Sequence, residues 1–515
     1  MKTLRTTVAS GEMVFLRQNK AEFESSPGNF LLKTKAHVSP PSPDPSFPLH
    51  LHGIQELTNL LLPRNYETST LPTHLTYVKH SMLSSVFGCA ASVVSMQALL
   101  LSMGVGGGGP SSSSSSSSSG SVSTVLPIAA TVNWILKDGL GQFGGIFFAN
   151  RVNTSFDADP KRFRLAADGA LACGVVLESC TALFPSLFLP IASVANVSKN
   201  VAWISASATR ASIHQSFCLD RNLADVTAKA GSQSTCASVL GTLLGLSSSY
   251  AVVSTPTHCV LLSLAFSILH IAFSYTALLQ VQMNNLNIQR TWLSLIPAMM
   301  PSTDGSKGLN LDLVATPAEV SKWERILHFG KWGGRDGVAC LVAPRSFIQH
   351  TRTLAEQPWK YALSPVHKLN SSLHVNVSVE HHLNPDELQQ SLKLCNEFGD
   401  QHLITVKPIP TKNNAFEIYL WFLKPATDAQ VIEGFLHAGL VAKRLNRLGG
   451  DGGGEEEEGS SGVEDASDAV RSVRKAMHQQ QAGKWFVQRL EQQGWDVKHV
   501  VVEAKHDSRL EIITT

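Results

Sequence analysis

Hydrophobic residues dominate two long stretches of the chain, and charged residues are missing from both. No Asp, Glu, Lys or Arg occurs in residues 80–136 or in residues 230–289. Within these stretches, residues 82–103 and 258–279 are apolar runs of about the 20 residues that a membrane-crossing helix needs. Their Ser, Gly and Ala residues also suit close packing between helices. The pattern predicts an apolar helical bundle, and both a transmembrane and a buried, soluble form stay open.

Prolines and Gly/Ser clusters divide this region into successive helical segments. Helices are predicted at residues 123–137, 164–182, 186–215, 222–249 and 257–290. Pro190 lies inside the third segment, where it predicts either a kink or the true start of that helix.

From about residue 310 the composition becomes that of an ordinary soluble domain. Apolar residues alternate with polar ones at residues 373–379, as in a half-buried strand, and the run at residues 416–423 predicts a second strand. Helices are predicted at Pro385–Phe398, from Thr427 or Asp428 to Leu448, and at 467–493, with a last strand at Val497–Val502. The predicted fold class is therefore mainly α, an apolar helical bundle followed by a smaller α+β C-terminal domain.

Low-complexity segments mark the predicted domain borders. Residues 1–58 form a disordered or variable lead with a Pro-rich end. The helical domain is predicted at residues 59–295, with a Gly/Ser insert at 104–121. The C-terminal domain follows at residues 310–515, with a Gly/Glu insert at 449–465. We expect both inserts to be solvated loops without chemistry.

Overall composition excludes several classes of protein. The formal net charge is +2, so no global field favours a nucleic acid partner. The eight cysteines contain no CxxC pair, which argues against a zinc finger and weakly favours a reducing compartment. The first residues lack the apolar core of a secretory signal and carry early Glu residues, which also argues against a transit peptide. The organelle stays open.

Between Trp134 and Thr235 charges are few, and a charge among apolar residues is costly unless it is paired or reaches water. An arginine guanidinium, together with a side-chain amide and a lysine ammonium group, is able to bind a carboxylate or phosphate. The alternative is an internal polar network that fixes helix register. The residues considered for either role are Lys137, Asp138, Arg210, Asn222, Asp225, Lys229, Ser232 and Gln233.

Two further hypotheses concern lysines in this region. Asp225 and Lys229 are four residues apart, so on a helix they share a face and are able to pair. A buried lysine such as Lys137, Lys199 or Lys229 is in principle able to form a Schiff base with an aldehyde. Since no phosphate-binding motif accompanies these lysines, the Schiff base is the least supported alternative.

Three short motifs allow competing interpretations. Gly139-Leu-Gly141-Gln-Phe-Gly144 satisfies the dinucleotide pattern GxGxxG but lacks the preceding strand that this site needs, so we predict a tight turn between helices. The basic run at residues 161–164 either marks the cytosolic or stromal face of a membrane or pairs with nearby aspartates at 157, 159 and 168. His381 and His382 lack a third metal ligand at suitable spacing. We predict no metal and no cofactor.

The charged motifs resemble those of a known family. They include Leu62-Pro63-Arg64-Asn65-Tyr66, Thr131-Val-Asn133-Trp134 with Lys137-Asp138-Gly139, Ala208-Thr209-Arg210-Ala211, Asn222 to Gln233, His270 and Leu286-Asn287-Ile-Gln-Arg290. Together they resemble the Root UV-B Sensitive family, over nearly half of the chain. The resemblance implies a link to UV-B responses, vitamin B6 homeostasis and auxin transport, as in plant members, and a possible plastid location.

This chain departs from the family pattern at several positions. The family usually has acidic residues where Ala230 and Ser234 stand, and its common histidine aligns with Ser216, two residues after His214. The leading functional hypothesis is a membrane-associated adaptor or regulatory protein that binds family members or other proteins. The alternative is a transporter or carrier of a small anionic metabolite. No hydrolase or metalloprotease motif occurs, so the sequence names no enzymatic reaction.

Overall fold

The protein is described here from a computed structural model. The structure describes residues 2–4, 21–26, 29–34, 60–102, 125–152, 155–253, 255–295, 297, 314–324, 326, 338–340, 372–375, 383–408, 416–448 and 466–500. Both low-complexity inserts and the His381–His382 pair lie outside these residues. The chain forms two compact units, Met1–Leu62 and Pro63–Thr515.

The unit Met1–Leu62 contains a small antiparallel sheet, in a segment for which the sequence predicts a disordered or variable lead. Its strands are β1 (Lys2–Leu4), β2 (Ala21–Ser26) and β3 (Asn29–Thr34). Strand β3 lies in the middle and pairs with both others.

After a short helix at Tyr66–Ser69, the unit Pro63–Thr515 contains long apolar helices, as the hydrophobic pattern predicts. They are α1 (His74–Ser102), α2 (Val125–Val152), α3 (Pro160–Cys180), α4 (Phe188–Gln215), α5 (Leu223–Val252) and α6 (Pro256–Leu278). Helix α1 packs against α3, α5 and α6, while α4 lies between α2 and α3. The centre is lined by small α1 residues such as Ala90, Ala91 and Ala98, which are fully buried. Small side chains allow this close approach of helices.

The predicted turn at Gly139–Gly144 is wrong, because helix α2 runs through it without a break. Two of these glycines allow close packing of helices and do not form a turn. A Cβ atom on Gly144 would lie 2.7 Å from Cγ1 of Val197, and one on Gly141 would lie 2.3 Å from Nδ2 of Asn196. Both contacts are with α4. The motif therefore lets two helices approach closely. Residues 125–138, which directly precede it, are helical, whereas a dinucleotide site requires a strand there.

Two other helix predictions need adjustment. Pro190 lies in the first turn of α4 and so marks the start of that helix, which a short 3-10 helix at Pro185–Leu187 precedes. The helix predicted at residues 257–290 ends at Leu278, and a separate helix, α7, covers Ile288–Leu295. Residues between α6 and α7 are not helical. There the side-chain amides of Asn285 and Asn287 donate to the carbonyls of Asp157 and Ala158.

In the part of the chain that the structure describes, α1, α5, α6 and the segment Pro185–Gln215 are long and apolar enough to cross a membrane by length and composition. Large apolar side chains also project outward from α2. Phe143 and Phe147 on α2 are 75% and 77% exposed. Contiguous apolar surface of this kind is typical of a lipid or protein contact.

The C-terminal region contains the predicted α+β elements. Strands β4 (Val338–Cys340), β5 (Ser372–Val375), β6 (His402–Pro408) and β7 (Phe416–Phe422) form a mixed sheet in the order β4-β5-β7-β6. The helices are α8 (Pro317–Trp323), α9 (Pro385–Phe398), α10 (Asp428–Leu448), α11 (Ala466–Gln479) and α12 (Ala482–Gln492). The apolar face of α10 packs on the sheet, and Phe422 and Phe435 are fully buried there.

Two sequence predictions fail near the C-terminal end of the described chain. The single helix predicted at 467–493 is broken into α11 and α12, because Gln481 adopts a left-handed conformation with φ of 48°. The strand predicted from Val497 is also wrong for residues 497–500, which form no strand. The preceding Trp495 is held by another contact, since its indole N–H donates to the carbonyl of Ala315 at 2.8 Å.

A buried ion cluster joins the helices to the C-terminal region. The Glu324 carboxylate accepts from Lys161 Nζ at 2.6 Å and from Arg290 Nε at 2.8 Å. All three side chains are at most 2% exposed. Burial would raise the pKa of Glu324, but Arg290 and Lys161 outweigh it and hold that pKa below its ordinary value. We call these three residues the joint cluster.

Candidate functional site

The candidate site is a cavity of about 370 Å³ among helices α1, α3, α4 and α5. This volume lies within the range of small-molecule pockets in proteins. The lining residues are Tyr77, Ser81, Met82, Ser85, Arg164, Trp203, Arg210, Ile213, His214, Thr227, Ala230, Gly231, Gln233 and Ser234. We call this space the arginine cavity.

Two arginines line the cavity. Arg164 Nε lies 3.4 Å from Oδ2 of the buried Asp168, one turn further along α3. Asp168 also accepts a hydrogen bond from the hydroxyl of Ser274. Arg210 comes from α4 and its side chain is exposed. Because Asp168 balances the charge of Arg164 and none of the described lining residues is acidic, Arg210 supplies the excess positive charge of the cavity, which favours an anionic ligand.

Aromatic and hydrogen-bonding groups complete the lining. Tyr77 packs against Phe217 with ring centroids 4.7 Å apart. Trp203 is 64% exposed. His214 is buried, and its Nδ1 lies 3.2 Å from the hydroxyl of Thr227. Flat apolar rings beside cationic and polar groups are able to accommodate a ring-containing anion.

The structure brings together some of the residues singled out from the sequence. Arg210 and Gln233 line the cavity, and Gln233 is buried. Ala230 and Ser234, the two positions where this chain departs from the family pattern, line it as well. Both positions thus place small neutral residues along this cavity.

Other candidate residues on α5 lie outside the cavity lining. Asp225 Oδ2 accepts a hydrogen bond from the backbone N–H of Arg64 at 2.8 Å, so this carboxylate fixes the chain before α1. Asn222 directly precedes α5, and its side-chain amide is buried. Lys229 and Ser232 are half-buried on the same helix. A ligand role for these four residues stays a prediction.

Lys137 and Asp138 form a separate network between α2 and α4. Lys137 Nζ lies 2.6 Å from Oδ1 of Asp138 and 4.6 Å from the ring centre of Trp134. The side-chain amide of Asn196 donates to Asp138 Oδ1 and to the backbone carbonyl of Lys137, both at 3.2 Å. These contacts support the structural alternative for this pair, because they use its charges to connect two helices.

Sequence reasoning did not place Arg164 or the cavity aromatics in a site. Arg164 belongs to the basic run at residues 161–164, and its contact with Asp168 matches the pairing alternative. Lys161 has a different partner, Glu324, which is far away in sequence. The sequence signal for the contact between Arg164 and Asp168 is their spacing, since residues four apart on a helix share a face.

A Ser, His and Asp grouping in the bundle has the residue types of a hydrolase triad. Ser84 Oγ lies 2.9 Å from His270 Nδ1, and His270 Nε2 lies 3.9 Å from Asp168 Oδ1. Both Ser84 and His270 are buried, however, and neither lines the arginine cavity. Ser84 Oγ is also 3.0 Å from the carbonyl oxygen of His270. The grouping therefore connects α1, α3 and α6 and is not placed to meet a substrate.

Comparison with known proteins decides the family. Residues 50–299 match a family model described as a vitamin B6 photo-protection and homoeostasis domain. These residues, just under half of the chain, form a domain of the Root UV-B Sensitive family. The matched range includes every helix that contributes to the arginine cavity.

Curated relatives carry the names of the Root UV-B Sensitive family. The chain is 31% identical to RUS family member 1 of Dictyostelium discoideum, over 53% of this chain and 47% of that protein. It is 28% identical to protein root UVB sensitive 3 of Arabidopsis thaliana, over 54% of this chain and 57% of that protein. Protein root UVB sensitive 2, chloroplastic, from the same plant is 29% identical over 51% and 57%.

The chain thus matches about half the length of these curated relatives. No solved structure matches it. The family is linked to UV-B and vitamin B6 photo-protection, and residues 300–515 of this chain lie beyond the matched domain.

Proposed function

We propose that this protein is a membrane-associated carrier or sensor that binds a small anion in the arginine cavity. The observation that supports this most is the convergence of Arg164 and Arg210 on a cavity whose described lining has no carboxylate. This favours the carrier hypothesis over the adaptor hypothesis. The apolar helices and their exposed side chains support the membrane association.

The family description suggests the chemical class of the anion. Vitamin B6 homoeostasis concerns a pyridine ring that carries a phosphate in its cofactor form, and the cavity combines arginines with aromatic rings. We therefore infer a phosphorylated form of vitamin B6 as the ligand. No lysine occurs among the described lining residues, so the proposed binding is non-covalent. A plastid location, suggested by the relative named chloroplastic, belongs to the same proposal.

Binding of pyridoxine 5′-phosphate to the purified full chain in detergent tests this function. This compound has no aldehyde, so it does not form Schiff bases with surface lysines. Arg210→Gln should weaken binding about 10- to 100-fold, because a hydrogen bond to a charged group contributes roughly 1.5–3 kcal/mol. Unphosphorylated pyridoxine should bind weakly to both proteins. Equilibrium dialysis with labelled ligand measures each affinity.

The matched control is Arg221→Gln, which removes another exposed arginine, one outside the cavity lining. It should leave binding unchanged. Ser234→Glu should weaken binding by placing a carboxylate in the cavity. The carrier proposal is wrong if phosphorylated and unphosphorylated forms bind equally, or if Arg210→Gln and Arg221→Gln behave alike.

An adaptor role is the second candidate, and the exposed apolar face of α2 favours it. Phe143 and Phe147 project from this face, and large exposed aromatics are typical anchors of protein interfaces. Phe143→Ser with Phe147→Ser should abolish co-purification of a family member while leaving pyridoxine 5′-phosphate binding intact. Retention of the partner by this variant, in a membrane pull-down with chemical cross-linking, would exclude α2 as the adaptor surface.

A further inference from the structure

The C-terminal region contains a second polar centre, at the start of strand β6. His402 Nε2 lies 2.9 Å from His437 Nδ1 on helix α10. One ligand atom from each of Asp400, His402 and His437 lies within 4.8 Å of the others. Both histidines are buried, with exposures of 3% and 0%. A cavity of about 270 Å³ adjoins this group and is lined by all three residues.

The backbone places the two rings against each other. Helix α10 approaches the sheet closely at Gly434, where a Cβ atom would lie 2.7 Å from the Phe422 ring and 3.3 Å from Cγ of His402. A larger residue there would push the helix away from the strand. His437 lies one turn further along the same helix, so this close approach brings its ring to His402.

The hydrogen bonds of His437 set its chemistry. Its Nε2 lies 3.2 Å from the carbonyl oxygen of Val470. A carbonyl only accepts, so Nε2 carries the proton and Nδ1 presents a lone pair towards His402. Metal-binding histidines commonly donate their second N–H to a carbonyl in this way, which fixes ring and tautomer.

The charged groups around the Asp400 carboxylate limit which of its two oxygen atoms is available to a metal ion. Arg474 Nε lies 3.0 Å from Asp400 Oδ2, and this guanidinium opposes a cation. His478 Nε2 lies 2.8 Å from Oδ1. Arg474 therefore holds one oxygen and leaves Oδ1 for a metal, with His478 as an outer partner. Glu433 is a further carboxylate that lines the same cavity.

We propose that Asp400, His402 and His437 bind one divalent transition metal ion, of the class represented by Zn²⁺. Two nitrogens on a tetrahedral Zn²⁺ are about 3.3 Å apart, given Zn–N bonds of about 2.0–2.1 Å, so a small separation of the rings suffices. On binding, His402 coordinates through Nε2 and carries its proton on Nδ1, after exchange with water. Imidazole nitrogens with one carboxylate oxygen are a ligand set for zinc and similar ions.

The site has consequences of its own, apart from the arginine cavity. With three protein ligands, a zinc ion retains one position for water or a substrate. That position would face the adjoining cavity, where Glu433 and Lys484 also lie. The C-terminal region would then hold a second ligand site. Its existence does not depend on the proposed binding of an anion in the helical bundle.

Direct metal binding by the full chain in detergent tests this inference. After removal of metal with a chelator, Zn²⁺ is titrated against a chromophoric competitor, and one ion should bind per chain. His437→Gln should lower the affinity by at least the roughly 10- to 100-fold that loss of an outer partner costs. The control His499→Gln removes an exposed histidine elsewhere in this region and should have no effect.

A measurement on the unaltered protein covers the case in which His437→Gln does not fold. X-ray absorption of the zinc-loaded chain should show scattering from two imidazole rings, and Co²⁺ in place of zinc should give the absorption bands of a four-coordinate site. The proposal fails if folded protein takes up no stoichiometric ion. It also fails if the absorption shows fewer than two imidazoles, or if His499→Gln weakens binding as much as His437→Gln.

Discussion

Replacing Glu324 by glutamine should destabilise the protein by about 3–5 kcal/mol, the usual cost of removing one partner from a buried ion pair. The variant leaves Lys161 and Arg290, which are both 1% exposed, without the carboxylate that they share. Burial already lowers the pKa of Lys161, so the unpaired cation is costly to retain. Denaturant unfolding in detergent, followed by tryptophan fluorescence, measures the loss.

Glu397→Gln is the matched control for this prediction. Glu397 pairs with Arg471 on the surface, where the two side chains are 45% and 58% exposed, and such pairs contribute about 0–1 kcal/mol. The pKa of Glu324 is held low in the folded state, so its contribution is present at neutral pH and is lost as the pH falls through that lowered pKa. Equal destabilisation by both variants would contradict a special role for the joint cluster.

Gly144→Ala should destabilise the bundle, and Gly139→Ala on the same helix should not. A methyl group at Gly144 would lie 2.7 Å from Val197, whereas one at Gly139 meets nothing within 4 Å. Overpacking of this kind costs about 1–3 kcal/mol. At the open position alanine should gain about 0.5–1 kcal/mol from its better helix propensity.

Thermal unfolding of the two variants in the same detergent checks the opposite signs. The pair needs no other reference, because both changes replace glycine by alanine within one helix. If the two midpoints shift in the same direction, α2 does not pack on α4 through Gly144.

The sequence was most informative where local chemistry decides structure. Helices α9 and α10 begin where predicted because Asn384 and Thr427 form capping boxes with Glu387 and Gln430. Each box lies within four residues, so it is visible in the sequence. The prediction of a turn at the GxGxxG motif was wrong for the opposite reason. Two of its glycines pack against α4, and the local sequence does not reveal that partner.

The candidate site was only partly predictable for the same reason. Arg210 and Gln233 were recognised by their place among apolar residues. Tyr77 and Arg164 complete the cavity, but they come from other helices and meet only through tertiary packing. The buried pair His402 and His437 is 35 residues apart and is related by the approach of α10 to the sheet. Separations of this size leave no periodic signal.

The joint cluster also bears on where this protein can be divided. Lys161 and Arg290 lie inside the matched family domain, residues 50–299, but their common counter-ion Glu324 lies beyond it. A fragment that stops at the family boundary would contain two cations with their partner removed. We therefore expect a fragment that extends past Glu324 to be more stable than one that ends at residue 299, because the edge of the matched domain separates these cations from their counter-ion.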